Sequence, residues 1–371
     1  MLLMMLHILQ LLFIQLTVDI HIIKKIYNYR KYEEEKMKKI KLLALVLVLT
    51  ILVVGCKSGN DINEQQGEEV PEVSEFTLAN VSAIGDERDQ SLQEFARLVD
   101  EKSNGTMKVN VYSGGTLGTW RDTIEGLEPG IVQIVCESLG TLEAFSPTAS
   151  IDAYPYLYDS YEHYKKEMLN GEIGEEILAI VGEEGGFVVM GPSNRGARIM
   201  TSNKRVDSVE DLKGVKIRAP GIQMYIKTWE YLGASPVPMD STEIYTGLQQ
   251  GTVDAQENPV MFSYGNAFYD VCDYLVMTNH VFSTDVFIFN DGFFNSLPAE
   301  QQQVFREAAK EAGEFRTKLV EDLEADTIAT MEEKGMEVLR PDISGFQEKL
   351  KDFSKEFPHL ADLVGKVHAT R

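Results

Sequence analysis

From Phe76 onward the chain alternates short period-two apolar segments with amphipathic segments of helical period. No other feature limits its possible folds as much. "EFTLANV" reads as a strand. "DQSLQEFARLVDEKSNG" reads as a helix, with Leu92, Phe95, Ala96 and Val99 at helical spacing and a stop at Asn104-Gly105. "TMKVNVYS" is a second strand, Gly114, Gly115 and Gly118 open a turn, and "TWRDTIEGLEPG" is helical. "IVQIVC" reads as a buried strand with Glu137 at its end, and "SYEHYKKEMLNGEIGEEILAIV" as helix broken at Gly171. "GFVVMG" and "ARIMTS" read as strands, "SVEDLKG" as a short capped helix, and "VKIRAP" as a strand that Pro220 stops. "MYIKTWEYLG" and "STEIYTGLQQG" are helical, "TVDAQENP" is extended, and "NHVFSTDVFIFN" supplies one or two strands. The pattern is continuously helical from Pro298 to about Gly335, and a final helix spans roughly Gly345 to Val367. Such alternation predicts an α/β chain with largely parallel sheets covered on both faces. Ligands of such sheets sit at the carboxyl ends of strands, and Arg218, Glu137 and Asn258 fall at or near such ends.

Targeting segments are set apart before the fold is considered. "MKKIKLLALVLVLTILVVGC", from Met37, has a basic start, an apolar stretch and Gly55-Cys56, and looks like a lipoprotein signal peptide (37–55) cut before a lipid-carrying Cys56. Residues 1–36 read as an extension upstream of a true start at Met37, since Glu33-Glu34-Glu35-Lys36 uses purine-rich codons where a ribosome-binding site would lie. Residues 56–75 are polar and acidic and read as a tether.

The formal net charge of −23 disfavours nucleic acid, whose phosphates such a surface repels. Three cysteines form no CxxC pair and six scattered histidines show no metal-ligand spacing, so no metal and no cofactor are expected. There is no GxSxG elbow or P-loop, and no catalytic residue is assigned.

Against this acidic background a few polar residues stand out. Lys216 and Arg218 alternate with apolar neighbours, as Arg198 does with Ala197 and Ile199. Glu137 follows an apolar strand, Asn258 precedes Pro259, and Arg121 lies in a first helical turn, where a cation opposes the helix dipole. Trp229 and Tyr245 lie on helices, and Asn80 on the first strand. Taken singly, each has a bland reading as a solvated, turn or core residue.

Their order along the chain is more telling. "YSGGTLGTWRDTIEGLEPG", "YPYLYDSYEHYKK", "GARIMTSN…DLKGVKIRAP", "LGASPVPMDSTEIYTGLQQGTVDAQENP", "TNHVFSTDVFIFN" and "LPAEQQQVFREAA" together resemble the TRAP-type (tripartite ATP-independent periplasmic) solute-binding proteins, from about Phe76 to the last helix. The resemblance implies a two-lobed periplasmic-binding-protein fold, type II-like, with crossing strands and a long helix spanning both lobes. Lobe I would comprise 76–195 plus 284–323, and lobe II 196–283 plus 324–371. It implies that Arg218 holds a ligand carboxylate through its planar fork, that Arg198 and Asn258 add donors, and that Glu137 accepts from ligand hydroxyls. Asn80, Arg121, Tyr245 and Trp229 complete the expected ligand-binding set. Ser241 and Gly140 stand where the family's sialate binders carry an aromatic and an arginine, which points to a smaller sugar acid such as a hexuronate or aldonate. The implied role is capture without chemistry by a monomer, lipid-anchored on the outer side of the cytoplasmic membrane, that delivers its solute to a TRAP permease. Three other readings stay open: a dicarboxylate or keto-acid binder, a sensor that presents its ligand to a membrane kinase or chemoreceptor, and a secreted enzyme.

Overall fold

The computed structural model describes residues 73–371. The extension, the signal segment, Cys56 and the tether as far as residue 72 lie outside the described residues. Nine strands are present among the described residues: β1 (Ser74–Ala79), β2 (Met107–Tyr112), β3 (Ile134–Ser138), β4 (Phe187–Ser202), β5 (Lys216–Ala219), β6 (Ser235–Pro238), β7 (Ala255–Pro259), β8 (Tyr274–Asn290) and β9 (Glu337–Leu339). They form one sheet in the order β2-β1-β3-β8-β4-β7-β5-β6, with β9 beside β8.

The sheet is mixed rather than largely parallel. β1 pairs in parallel with β2 and β3, and β5 with β6 and β7. At the centre, β8 runs antiparallel to β3 and β4, and β4 antiparallel to β7. The two parallel groups are α/β units, and the chain joins them through two long strands that cross from one half to the other. β4 has 16 residues and β8 has 17. The sequence pattern splits β4 at Gly191-Pro192 and at Gly196, but the chain absorbs both as bulges, with register shifts at Met190/Ser193, Asn194/Ala197 and Arg198/Met200.

Seven helices matter here: α1 (Glu87–Lys102), α2 (Trp120–Glu125), α3 (Glu172–Gly185), α4 (Gln223–Leu232), α5 (Ile244–Gln249), α6 (Val260–Gly265) and α7 (Ala299–Glu333). α7, 35 residues long, packs on β4, on α1 in one half and on α6 in the other. Its docking is backbone to backbone. Gly191 has φ +63°, and a Cβ there would lie 2.5 Å from Ala309 O; Gly313 on the helix faces Gly191 O at 3.0 Å in the same sense. Only glycine combines that φ with that approach. The expected final helix is two short ones, Ser344–Lys349 and Ala361–His368, because Pro358 interrupts the run. The break expected at Gly171 is present, after a wide turn over Lys165–Leu169.

One apolar cluster, including Phe76, Phe95, Phe287 and Phe305, lies under α1 and α7. A larger one runs from Trp120 and Leu139 to Trp229 and Phe353. Cys136 and Cys272 are buried and free.

Candidate functional site

The two halves of the sheet face each other across a narrow cleft. β3 and the turn after it contribute Glu137, Ser138 and Thr141; β4 contributes Arg195 and Arg198; β5 and the start of α4 contribute Arg218, Pro220, Ile222 and Tyr225. Val81, Trp120, Ser241, Asn258 and Phe262 complete the lining. The cleft is half open, with about 40 Å³ of room for water-sized guests. One contact ties the turn after β3 to the start of α4. The Glu143 carboxylate accepts from Gln223 N at 2.9 Å and Met224 N at 3.4 Å, at a helix start that Ile222 does not cap.

Arg218 is the clearest candidate for a binding group. β5 buries it to 2% exposure, while Lys216 at the start of the same strand stays exposed. Its Nε donates to Met239 O at 2.8 Å. Burial, joined by repulsion from Arg198 and Arg195 and opposed by Glu257, pulls its guanidinium from 12.5 down to about 9. An arriving anion would reverse that shift.

Arg198 is placed in the same cleft but is already engaged. It donates from Nε and Nη2 to the Glu257 carboxylate at 2.5 and 2.6 Å, and from Nη2 to Glu257 O at 3.0 Å. The Tyr225 ring lies 4.5 Å from its Cζ. His280 Nε2 is 3.2 Å from Glu257 Oε2, and its Nδ1 is 2.9 Å from Thr278 Oγ1. Asn258 is also spoken for: its Oδ1 accepts from Arg195 Nη2 at 3.3 Å, and its Nδ2 donates to Gln256 Oε1 at 2.8 Å.

Glu137 accepts from Arg88 Nη1 at 3.0 Å through one oxygen, while its other oxygen, Oε1, is buried without a partner. Arg88 in turn grips Asp285 with Nε at 2.7 Å and Nη2 at 2.8 Å, and Arg316 bonds the same carboxylate. The Tyr225 hydroxyl is a second buried group without a partner. An unpaired buried acceptor is costly, and a ligand hydroxyl would relieve that cost.

Thus Arg218, Arg198, Asn258 and Glu137 line one cleft. The other four do not line the cleft. Asn80 is buried behind it, donating to Ser113 Oγ at 2.8 Å and accepting from Ser82 N at 2.7 Å. Arg121 is exposed, with its guanidinium 4.8 Å from the Trp120 ring centre. Tyr245 packs against the apolar cluster of Ile199 and Leu248. Trp229 is core, edge-on to His280 at 5.1 Å. Sequence reasoning missed Arg195, Tyr225, Phe262 and Trp120. The one local sign at Arg195 is its place just before Gly196, where the strand pattern breaks.

A wider groove of about 390 Å³ runs along the outside of α7, lined by Lys165, Lys310, Lys318, Glu314 and Glu321. Lys165 pairs there with Glu321 at 2.6 Å, and none of its lining side chains is buried without a partner. Its charges are therefore balanced locally. Among the described residues, no helix is long and apolar enough to cross a membrane.

Comparison with known proteins agrees with this geometry. Residues 78–359 match the model of the bacterial extracellular solute-binding proteins, family 7. The chain is 31% identical over 282 residues to the 2,3-diketo-L-gulonate-binding periplasmic protein of Escherichia coli K12, covering 74% of this chain and 85% of that one. A TRAP periplasmic solute-binding protein of Roseobacter denitrificans, solved with bound L-galactonate, superposes with a TM-score of 0.76 at 28% identity, covering 80% and 99% of the two chains. One from Pseudomonas putida, solved with bound D-glucuronate, gives 0.77 at 26% identity, covering 80% and 97%. The matched span, the crossed sheet and the cationic cleft agree: this chain belongs to family 7 of the bacterial extracellular solute-binding proteins, the TRAP periplasmic solute-binding proteins.

Proposed function

We propose that this protein captures a polyhydroxylated monocarboxylate, a hexuronate or an aldonate, and hands it unchanged to a TRAP permease. The observation that carries the reading is Arg218: a cation buried to 2% exposure, bonded through Nε to a backbone carbonyl, with its terminal amines left for the cleft. A planar fork in a dry site suits a carboxylate. Each charged hydrogen bond contributes about 1.5–3 kcal/mol, so two or three support micromolar binding or better. The unpaired Glu137 oxygen supports a hydroxylated partner, because a bare dicarboxylate offers it no donor and adds repulsion. Structural neighbours solved with L-galactonate and D-glucuronate point the same way.

In this reading lobe I comprises 76–195 and 284–323, and lobe II 196–283 and 324–371. The lobes part about β4 and β8 to admit the acid. A lipid on Cys56 keeps the protein beside the permease on the outer side of the membrane. The test is a thermal-shift screen with uronates, aldonates, keto acids and dicarboxylates, with mass spectrometry of co-purified ligand. Stabilisation by a uronate or aldonate is expected; stabilisation by dicarboxylates alone rejects the reading. Cys56→Ser should release the protein from membranes, and continued membrane association would reject the anchor.

A further inference from the structure

The cation expected beside Arg218 is Arg198, whose Nε and Nη2 are taken by Glu257 and whose Nη1 is left. Three residues earlier, Arg195 is in the opposite situation. It falls in the register break between Asn194 and Ala197, where β4 carries residues that β8 does not match. Gly196 allows the break with φ +97°, and its N–H donates to Asn194 Oδ1 at 2.8 Å. A bulge re-aims a side chain that regular alternation would send elsewhere, and here Arg195 joins the lining of the cleft.

Arg195 is held but not saturated. Nη2 donates to Asn258 Oδ1 at 3.3 Å, a long bond. Asn258 is itself fixed by Gln256, which donates to Thr201 and Ser263. The Phe262 ring supports the guanidinium at 5.6 Å. The nearest carboxylate, Asp285, lies 3.6 Å from Nε, beyond hydrogen-bond reach, and already accepts from Arg88 and Arg316. A guanidinium has five N–H donors, so most of those on Arg195 lack a strong acceptor. It is 8% exposed and lines the cleft.

We propose that Arg195 is a further guanidinium that grips the ligand's carboxylate, with Asn258 positioning it. The proposal rests on the sugar-acid reading above. It divides the work: Arg198 neutralises Glu257 and sets the floor of the cleft, while Arg195 and Arg218, from strands on either side of β7, flank the anion. Burial and repulsion from Arg198 and Arg88 lower the Arg195 guanidinium to about 9, so an anion also relieves its isolation.

The experiment is calorimetry of the wild-type chain and of Arg195→Gln and Arg195→Lys with D-glucuronate, D-galacturonate and L-galactonate. Melting of the ligand-free proteins is recorded alongside. For whichever acid the wild type binds, Arg195→Gln should bind at least twentyfold more weakly. Arg195→Lys should bind at least fivefold more weakly, because it keeps a charge but loses the fork. If Arg195→Gln does not fold, Arg195→Lys decides, since it retains the cation beside Asp285. Affinities within twofold of wild type, whatever the change in melting, overturn the proposal and leave the sugar-acid reading standing. A wild-type chain that binds none of the three acids removes both.

Discussion

Arg198 and Glu257 lie diagonally across the antiparallel β4–β7 ladder, where Arg198 is opposite Pro259 and Glu257 opposite Met200, and they close a two-pronged ion pair wholly inside the protein. Diagonal residues on one face of a sheet are within reach of long side chains. Burial alone would raise the Glu257 carboxyl; Arg198 and the His280 hydrogen bond outweigh it and hold it down at about 2. The pair therefore stays ionised and cancels the charge that sequence reasoning assigned to the ligand.

Removing one partner strands the other. Arg198→Met leaves an unpaired buried carboxylate and should cost about 3–5 kcal/mol of stability in chemical denaturation. The double variant Arg198→Met/Glu257→Leu should recover most of that loss, because both charges are gone. A single variant that loses less than about 1 kcal/mol would contradict the structural role given to Arg198.

Arg218→Lys keeps the charge but replaces a planar fork with a point donor. The Nε bond to Met239 O also goes. Affinity for the bound acid should fall at least tenfold, about 1.4 kcal/mol. Calorimetry that finds unchanged affinity would remove Arg218 from the site.

Glu137→Gln tests hydroxyl recognition. The amide oxygen can still accept from Arg88, but the unpaired acceptor becomes a donor. The relative affinities of D-glucuronate and D-galacturonate, which differ in one hydroxyl, should shift at least threefold. An unchanged ratio in competition binding would mean that Glu137 serves only Arg88.

Much of this site was legible because strand ends are legible. Arg218, Glu137 and Asn258 occupy the next-to-last positions of β5, β3 and β7, and period-two patterns locate such ends well. Local pattern cannot reveal pairing between distant segments. Glu257 stands 59 residues from Arg198, so the neutralisation of Arg198 was invisible. Arg195 was missed for a related reason: a bulge is a mismatch between two strands, and it cannot be read from one of them. The same glycines, Gly191 and Gly196, that made β4 read as two strands are what let one long strand bend between the halves. Trp229 and Tyr245 were read from type and resemblance, but their helical faces turn into the core.

Asp152 gives a test by pH. It sits beneath the cleft, accepting from Thr284 N at 2.8 Å and Gly140 N at 3.4 Å. Burial outweighs these bonds and pushes its carboxyl up from 3.8 to about 6. A carboxyl with a raised folded pKa binds its proton more tightly in the folded chain. Its stabilising contribution is therefore full below about pH 4 and is lost as pH rises through 6. Asp152→Asn keeps an acceptor for Thr284 and cannot ionise. Its stability relative to wild type should increase between pH 4.5 and 7.5, by roughly 1–3 kcal/mol. Taking the difference between the two proteins cancels the opposite trend of His280, whose pKa burial lowers, and the parallel one of Asp86, which also lies near 6. Melting curves at the two pH values provide the measurement. A difference that stays constant, or shrinks toward neutral pH, would show that Asp152 is ionised without penalty.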